Sequence, residues 1–261
     1  MPSDTLRINT LLSDVDAEAL AALAESARTR VSGRGEVIFR AGDEPDGIFL
    51  IDSGRIKLTW GPFGATAGST LEILGPGHIF GEVSVCARSP RIGDAVALTS
   101  CELRYISSDD INRLVAEYPA LTRVLLFQMA HRLRFNHCIQ AVFTRSDVPG
   151  RVAFVVLLLA SRFGERRPDG CVQVCHEITQ SELASMIGAS REAVNKALSD
   201  FATRRWIALG TKSLSILNWH RLRRRAGVAA GPMDDSRATP PPPDHRAPAA
   251  AGPRPWRRPS P

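Results

Sequence analysis

Arg191, Glu192, Asn195 and Lys196 stand within six residues of one another, a spacing that turns all four to the outside of a helix's first turns. Their side chains suit the edges of base pairs. Arginine offers a paired donor to guanine O6 and N7, glutamate accepts from cytosine N4, and lysine reaches guanine or phosphate. Twelve residues earlier, Thr179, Gln180 and Ser181 open a helix of their own. A helix N-terminus with free amides suits phosphate oxygens. Other chemistry is poorly represented. Cys171, Cys175 and His176 lie close together but lack a fourth metal ligand in reach, so no metal is expected. No Ser/His/Asp or phosphate-cradling constellation stands out, and an enzyme is not expected.

The elements that must position these residues can be read around them. Thr179 and Glu182 have the spacing of a capping box. Leu183, Met186 and Ile187 form a buried stripe, Gly188 permits a left-handed turn, and Ser190 caps the next helix. In that helix Val194, Ala197, Leu198 and Phe201 point inward. A short helix, a glycine turn and a second helix with a polar start make a helix-turn-helix. The competing reading is an ordinary helical hairpin with a solvated face. Trp206–Leu209 and Leu214–Leu217 flank Gly210-Thr211-Lys212-Ser213 and predict a hairpin, which makes the module winged.

Upstream, Asp147-Val148-Pro149-Gly150 breaks the chain, with Asp147 placed to cap a helix and Pro149 in its first turn. The apolar run Val152–Ala160 is too short to span a bilayer and reads as a buried helix face. Residues 120–144 contain no Gly or Pro and predict a helix ~37 Å long. One small β-domain does not cover such a length, so part of its stripe, with Phe135 and Ile139 at the seam, is expected to pair with a second copy. The alternative is packing on its own barrel. Between Val31 and Ile106, short β-rich runs alternate with turn signals such as Gly42-Asp43, Ser53-Gly54 and Gly75-Pro76-Gly77, which predicts a sandwich or barrel. Residues 5–27 predict short helices with Leu11, Leu12, Leu20, Leu23 and Ala24 inward and Ser13 and Asp14 as caps.

Charge follows this division. Residues 1–147 carry a net −3, residues 148–226 a net +7 and residues 227–261 a net +2. A mildly acidic first half joined to a basic module suits a sensor attached to a nucleic-acid binder. The segment from Gly227 holds 10 of the 18 prolines and few large apolar residues, so a disordered tail is expected. No apolar leader precedes the first helices, which predicts a cytoplasmic protein without a membrane partner. Five scattered cysteines argue against a disulfide framework.

With these pieces in place, the chain resembles the Crp/Fnr family of bacterial transcription regulators, in the actinobacterial form of the cyclic-AMP receptor branch. The resemblance runs from about Ile8 to Arg224. It rests on Ile79-Phe80-Gly81-Glu82, on Asp147 to Ala153, and above all on Gly188 to Leu198. It implies an α+β chain: a cyclic-nucleotide-binding jelly-roll over 1–118, a dimerising central helix over 119–146, and a winged helix-turn-helix over 147–226, before the tail of 227–261.

It also implies site residues. Gly81 and Glu82, with Val83 beside them, match the segment whose amide meets the cyclic phosphate and whose carboxylate holds the ribose hydroxyl. Arg91 matches the arginine that pairs with the phosphate. Ile92 stands where nucleotide binders usually carry a hydroxyl, and Asn136 and His137 fall at the positions that contact adenine. Cyclic AMP is the implied effector. The implied partners are palindromic double-stranded DNA with half-sites like TGTGA, a second copy of the chain, and RNA polymerase. If the pocket instead holds no nucleotide, Arg91 pairs with an acid such as Asp94, and the barrel is only a dimer scaffold for a ligand-independent regulator. Iron–sulfur chemistry lacks clustered cysteines near the N-terminus, and haem has only His78 and His137 as candidate ligands.

Overall fold

The structure, a computed structural model, describes residues 15–61, 69–168, 170–175, 178–210 and 213–228. Helix α1 (Ala17–Ser26) leads into strands β1 (Arg28–Ser32), β2 (Val37–Phe39), β3 (Gly47–Ser53), β4 (Ile56–Trp60), β5 (Ser69–Leu74) and β6 (Ile79–Phe80). Helix α2 (Glu82–Ala87) separates these from β7 (Ala95–Ala97) and β8 (Cys101–Ser107). The strands form two antiparallel sheets, ordered β1-β8-β3-β6 and β2-β7-β4-β5. Period-two alternation sends one side of each strand between the sheets. Phe49, Ile51, Ile56, Leu74, Phe80 and Leu103 fill that space, and the Phe49 and Phe80 rings stack with centroids 5.1 Å apart.

The other face of the first sheet is covered by helices. Val15, Leu20 and Leu23 pack with Ile48, Leu50 and Ile106 of the sheet and with Ile111 and Leu114 of α3 (Ser108–Glu117). The cap of α1 is Asp16, whose carboxylate accepts from the Ala19 amide at 2.8 Å. The expected caps Ser13 and Asp14, and the expected apolar Leu11 and Leu12, lie outside the described residues.

Helix α4 (Pro119–Arg145) begins with proline in its first turn, as that residue's missing amide favours. Leu121, Val124 and Leu125 pack against the barrel side. Phe135, Ile139 and Val142 pack on the core of the C-terminal module. This corrects the expectation that Phe135 and Ile139 lie at a seam between copies. Helix α5 (Val148–Phe163) is buried at every residue from Val152 to Ala160, so it needs cover on all sides, and the second half of α4 supplies one of them. The large apolar residues that α4 leaves exposed are Leu126, Phe127 and Leu133.

The hinge forms as expected. Asp147 accepts from the Gly150 amide at 3.0 Å, and Arg225 clamps the same carboxylate at 2.6 Å. Beyond α5 lie β9 (Gly164–Arg166), β10 (Val172–Cys175), α6 (Gln180–Ile187), α7 (Arg191–Thr203), β11 (Ile207–Gly210), β12 (Ser213–Ile216) and α8 (Trp219–Ala226). Their sheet order is β11-β12-β10-β9, so β10 is an inner strand beside the β11–β12 hairpin expected between Trp206 and Leu217. The turn at Thr211-Lys212, His176 and most of the Pro-rich tail lie outside the described residues.

Candidate functional site

Two features stand out, a cavity in the barrel and an exposed helix start in the C-terminal module. The cavity begins where β6 ends. Gly81 turns the chain with φ 85°, a left-handed conformation that costs glycine little. A Cβ there would also stand 2.7 Å from Arg91 Nη1. The turn starts α2 and borders a cavity of about 260 Å³ lined by Leu58, Thr59, Leu71, Glu72, Gly81, Val83, Ser84, Ile92, Asp94, Arg132 and Asn136 among others. Of the expected pocket residues, Gly81, Val83, Ile92 and Asn136 line it.

Glu82 lies behind this wall, fully buried. Its Oε1 accepts from Arg132 Nη1 at 2.5 Å, while Oε2 is buried with no hydrogen-bond partner among the described residues. Burial pushes its carboxyl above the ordinary value; Arg132 opposes that shift and the neighbouring charge of Glu72 adds to it. His137 is exposed and lies one turn beyond Leu133 on the uncovered face of α4, not on the cavity wall.

Arg91 departs from expectation. Its side chain is 1% exposed and does not line the cavity. The guanidinium donates to the carbonyl oxygens of Gly81 at 2.7 Å and Gly47 at 2.6 Å and pairs with Asp46 at 2.7 Å. It lies over the Phe39 ring at 4.3 Å, and its Nε is buried without a hydrogen-bond partner among the described residues. The acid beside it is therefore Asp46 rather than Asp94, which accepts from the Ala41 amide at 2.8 Å.

Three residues that sequence reasoning missed tie the cavity to the rest of the molecule. Arg132 pairs with Glu72 at 3.2 Å as well as with Glu82. Glu72 also accepts from Arg162 of α5 at 2.7 Å. Burial alone would raise the Glu72 carboxyl, but Arg162 and Arg132 outweigh it and hold the group below its ordinary value. The only sequence signal for Arg132 was its place one turn before Asn136. Glu72 and Arg162 carried none, because each meets its partners only through tertiary packing.

In the C-terminal module the capping box is in place. The Glu182 amide donates to Thr179 Oγ1 at 3.2 Å and the Thr179 amide to Glu182 Oε2 at 2.8 Å. Ser190 caps α7 by accepting from the Ala193 amide at 3.2 Å, and Gly188 between the helices has φ 63°. Val194, Ala197, Leu198 and Phe201 are buried, which leaves Arg191, Glu192, Asn195 and Lys196 exposed. Gln180 Nε2 donates to Asn195 Oδ1 at 3.3 Å, linking the two helix starts. Thr179, Ser181 and Ser190 are exposed beside them.

An antiparallel barrel with a side cavity, a long helix along it and a winged helix-turn-helix beyond a hinge define a sensor joined to a DNA-reading module. Comparisons with known proteins agree. The cyclic nucleotide-binding domain family matches residues 29–118, and the Crp-like helix-turn-helix domain family matches residues 150–225. The chain is 39% identical over 219 residues to the CRP-like cAMP-activated global transcriptional regulator of Mycobacterium tuberculosis, covering 83% of this chain and 96% of that one. It is 29% identical to the Cyclic AMP receptor protein of Thermus thermophilus over 72% of this chain and 82% of that one. In fold it is similar to FixK2 from Bradyrhizobium japonicum, with a TM-score of 0.68 at 19% identity over 78% of this chain and 99% of that one. The chain belongs to the Crp/Fnr family of transcription regulators.

Proposed function

We propose that this regulator acts as a homodimer on palindromic DNA and that a cyclic nucleotide, cyclic AMP foremost, occupies its barrel cavity. The observation that carries the ligand reading is Glu82 Oε2. A buried carboxylate oxygen without a donor is costly, and here it lies behind the Gly81 turn, where a ribose hydroxyl would satisfy it. The proposed pocket residues are Gly81, Glu82, Val83, Arg91, Ile92 and Asn136, with His137 lying outside the cavity wall of this chain. Arg91 would meet the phosphate by giving up Asp46, whose side chain is 61% exposed and is readily rehydrated. The name of the mycobacterial relative supports the choice of cyclic AMP.

Thr179, Gln180, Ser181 and Ser190 would face phosphates and Arg191, Glu192, Asn195 and Lys196 base edges, with half-sites one helical turn apart. The sensor over 1–118, the central helix over 119–146 and the reading module over 147–226 are the proposed units. The second copy would cover Leu126, Phe127 and Leu133, and RNA polymerase is the proposed further partner. The other reading, a ligand-independent regulator on a scaffold barrel, draws on the internal pairing of Arg91 and the missing hydroxyl at Ile92. Calorimetric titration of the purified protein with cyclic AMP separates the two. Heat of binding that is lost in Glu82→Ala supports the pocket, and no heat in the wild type supports the scaffold.

A further inference from the structure

The sensor and the DNA-reading module meet on the β4–β5 pair. Arg162, near the end of α5, donates Nη2 to Glu72 Oε1 at 2.7 Å and Nη1 to the Ile73 carbonyl at 2.9 Å. One guanidinium thus grips both a side chain and the backbone of β5, a fork geometry that fixes orientation as well as distance. Its carbon lies over the Phe135 ring of α4 at 4.7 Å. Beside it, Lys57 of β4 pairs with Glu182 of α6 at 3.0 Å, and the Thr70 amide donates to Ser185 Oγ at 2.9 Å. Gly75 lets the two surfaces close, since a Cβ there would stand 2.6 Å from the Phe163 ring.

Glu72 is the residue that both sides share. It lines the barrel cavity, and its carboxylate pairs with Arg132 of the central helix and holds Arg162 of the reading module. Glu82, Arg132, Glu72 and Arg162 therefore form one buried chain of alternating charge, with side chains 0%, 16%, 13% and 7% exposed. A buried ionic network adds little net stability, but removing one partner leaves the others uncompensated at a large cost. The contacts to β4 and β5 use Glu182 and Ser185 of α6, while Arg191, Glu192, Asn195 and Lys196 of α7 stay exposed. The docked arrangement thus orients the reading helix without covering it.

We propose that Glu72 is a positioning residue that fixes the DNA-reading module against the barrel through Arg162, so that one carboxylate serves both the cavity wall and the module's orientation. This rests on the cavity being the effector site. A ligand hydroxyl that donates to Glu82 competes with Arg132 for that carboxylate. Arg132 then leans more on Glu72, and the demand reaches Arg162 through a single side chain.

The test uses the full chain with Arg162→Gln, Glu72→Gln and the double variant, plus Lys57→Gln as a milder break of the same interface. DNA affinity is measured on a palindromic duplex, with hydrogen exchange over residues 180–187 and calorimetry with cyclic AMP alongside. Arg162→Gln is expected to weaken DNA binding about tenfold and to speed exchange over 180–187, with a smaller change in cyclic AMP affinity, because Arg162 reaches the cavity only through Glu72. The double variant is expected to lose no more than the worse single. If Arg162→Gln fails to fold, Lys57→Gln is expected to show the same pattern at smaller amplitude. Unchanged or tighter DNA binding in folded variants, or fully additive losses, would overturn the proposal. A wild type that takes up no cyclic AMP would instead count against the effector site, and the DNA and exchange measurements would still decide the dock.

Discussion

Arg132 reaches from the middle of the central helix to Glu82, 2.5 Å away at the start of α2, and so joins the helix to the turn that borders the cavity. Glu82 is fully buried, and Arg132 is the cation that compensates its charge. Arg132→Met is expected to destabilise the fold by about 3 kcal/mol, because it leaves a buried carboxylate uncompensated. Urea unfolding of the variant checks this, and a loss under about 1 kcal/mol would mean that water reaches Glu82.

The two carboxylates that share Arg132 have opposite pH behaviour. Glu72 is held below its ordinary value of 4.5 because Arg162 and Arg132 outweigh its burial. Its contribution is present above that value and is lost as pH falls through the lower, folded value. The stability gap between wild type and Glu72→Gln is therefore expected to shrink as unfolding is measured from about pH 6 down to about pH 3. Glu82 is raised by burial, so its contribution instead falls as pH rises from 4.5 through the folded value. A gap for Glu72→Gln that does not change with pH would contradict the ion pairing.

Ile92 lines the cavity and is 46% exposed, so Ile92→Ser is expected to leave the fold intact. By adding a hydroxyl beside the phosphate position, it is expected to tighten cyclic AMP binding up to about tenfold, the worth of one net hydrogen bond. Calorimetry reads the change, and identical heats for variant and wild type would remove the phosphate from that position. Arg91→Leu is the less informative variant, because Arg91 also ties Gly47, Gly81 and Asp46 together.

Leu133→Glu is expected to yield monomers in sedimentation, since Leu126, Phe127 and Leu133 are 66%, 60% and 56% exposed on one stretch of α4 and a charge there would face its copy. Ile139→Glu is expected to unfold the reading module instead, because Ile139 packs on that module's own core. A Leu133→Glu protein that sediments like wild type would place the dimer contact elsewhere.

The helix-turn-helix was the most legible part of the sequence. Its caps at Thr179 and Ser190, its turn at Gly188 and its inward residues are all set by local rules, and each stands where the spacing put it. The strands of the barrel were legible as runs and turns, but the short helix after Gly81 was not, since six residues give too little periodicity to read. The direction in which α4 faces was also hidden. Its apolar residues serve the barrel, the reading module and an uncovered face in succession, and only the fold says which residue serves which. Arg91 was legible as a functional type but not in its pairing, because Asp46 is 45 residues away and comes beside it only when β3 joins the sheet.

Arg191 is exposed at the start of α7 with no salt bridge among the described residues. Arg191→Ala is expected to cost about 1–3 kcal/mol of specific binding and to relax preference at one guanine. Equal losses on specific and random duplexes would make it a phosphate contact.

Occupancy of the barrel cavity is expected to change how tightly α7 reads DNA. The most direct test is fluorescence anisotropy of a labelled palindromic duplex titrated with the full chain at one fixed salt concentration, with and without saturating cyclic AMP. The affinity is expected to be at least about fivefold higher with the nucleotide, and the difference is expected to vanish in Glu82→Ala. Superimposable curves with and without cyclic AMP would contradict this coupling.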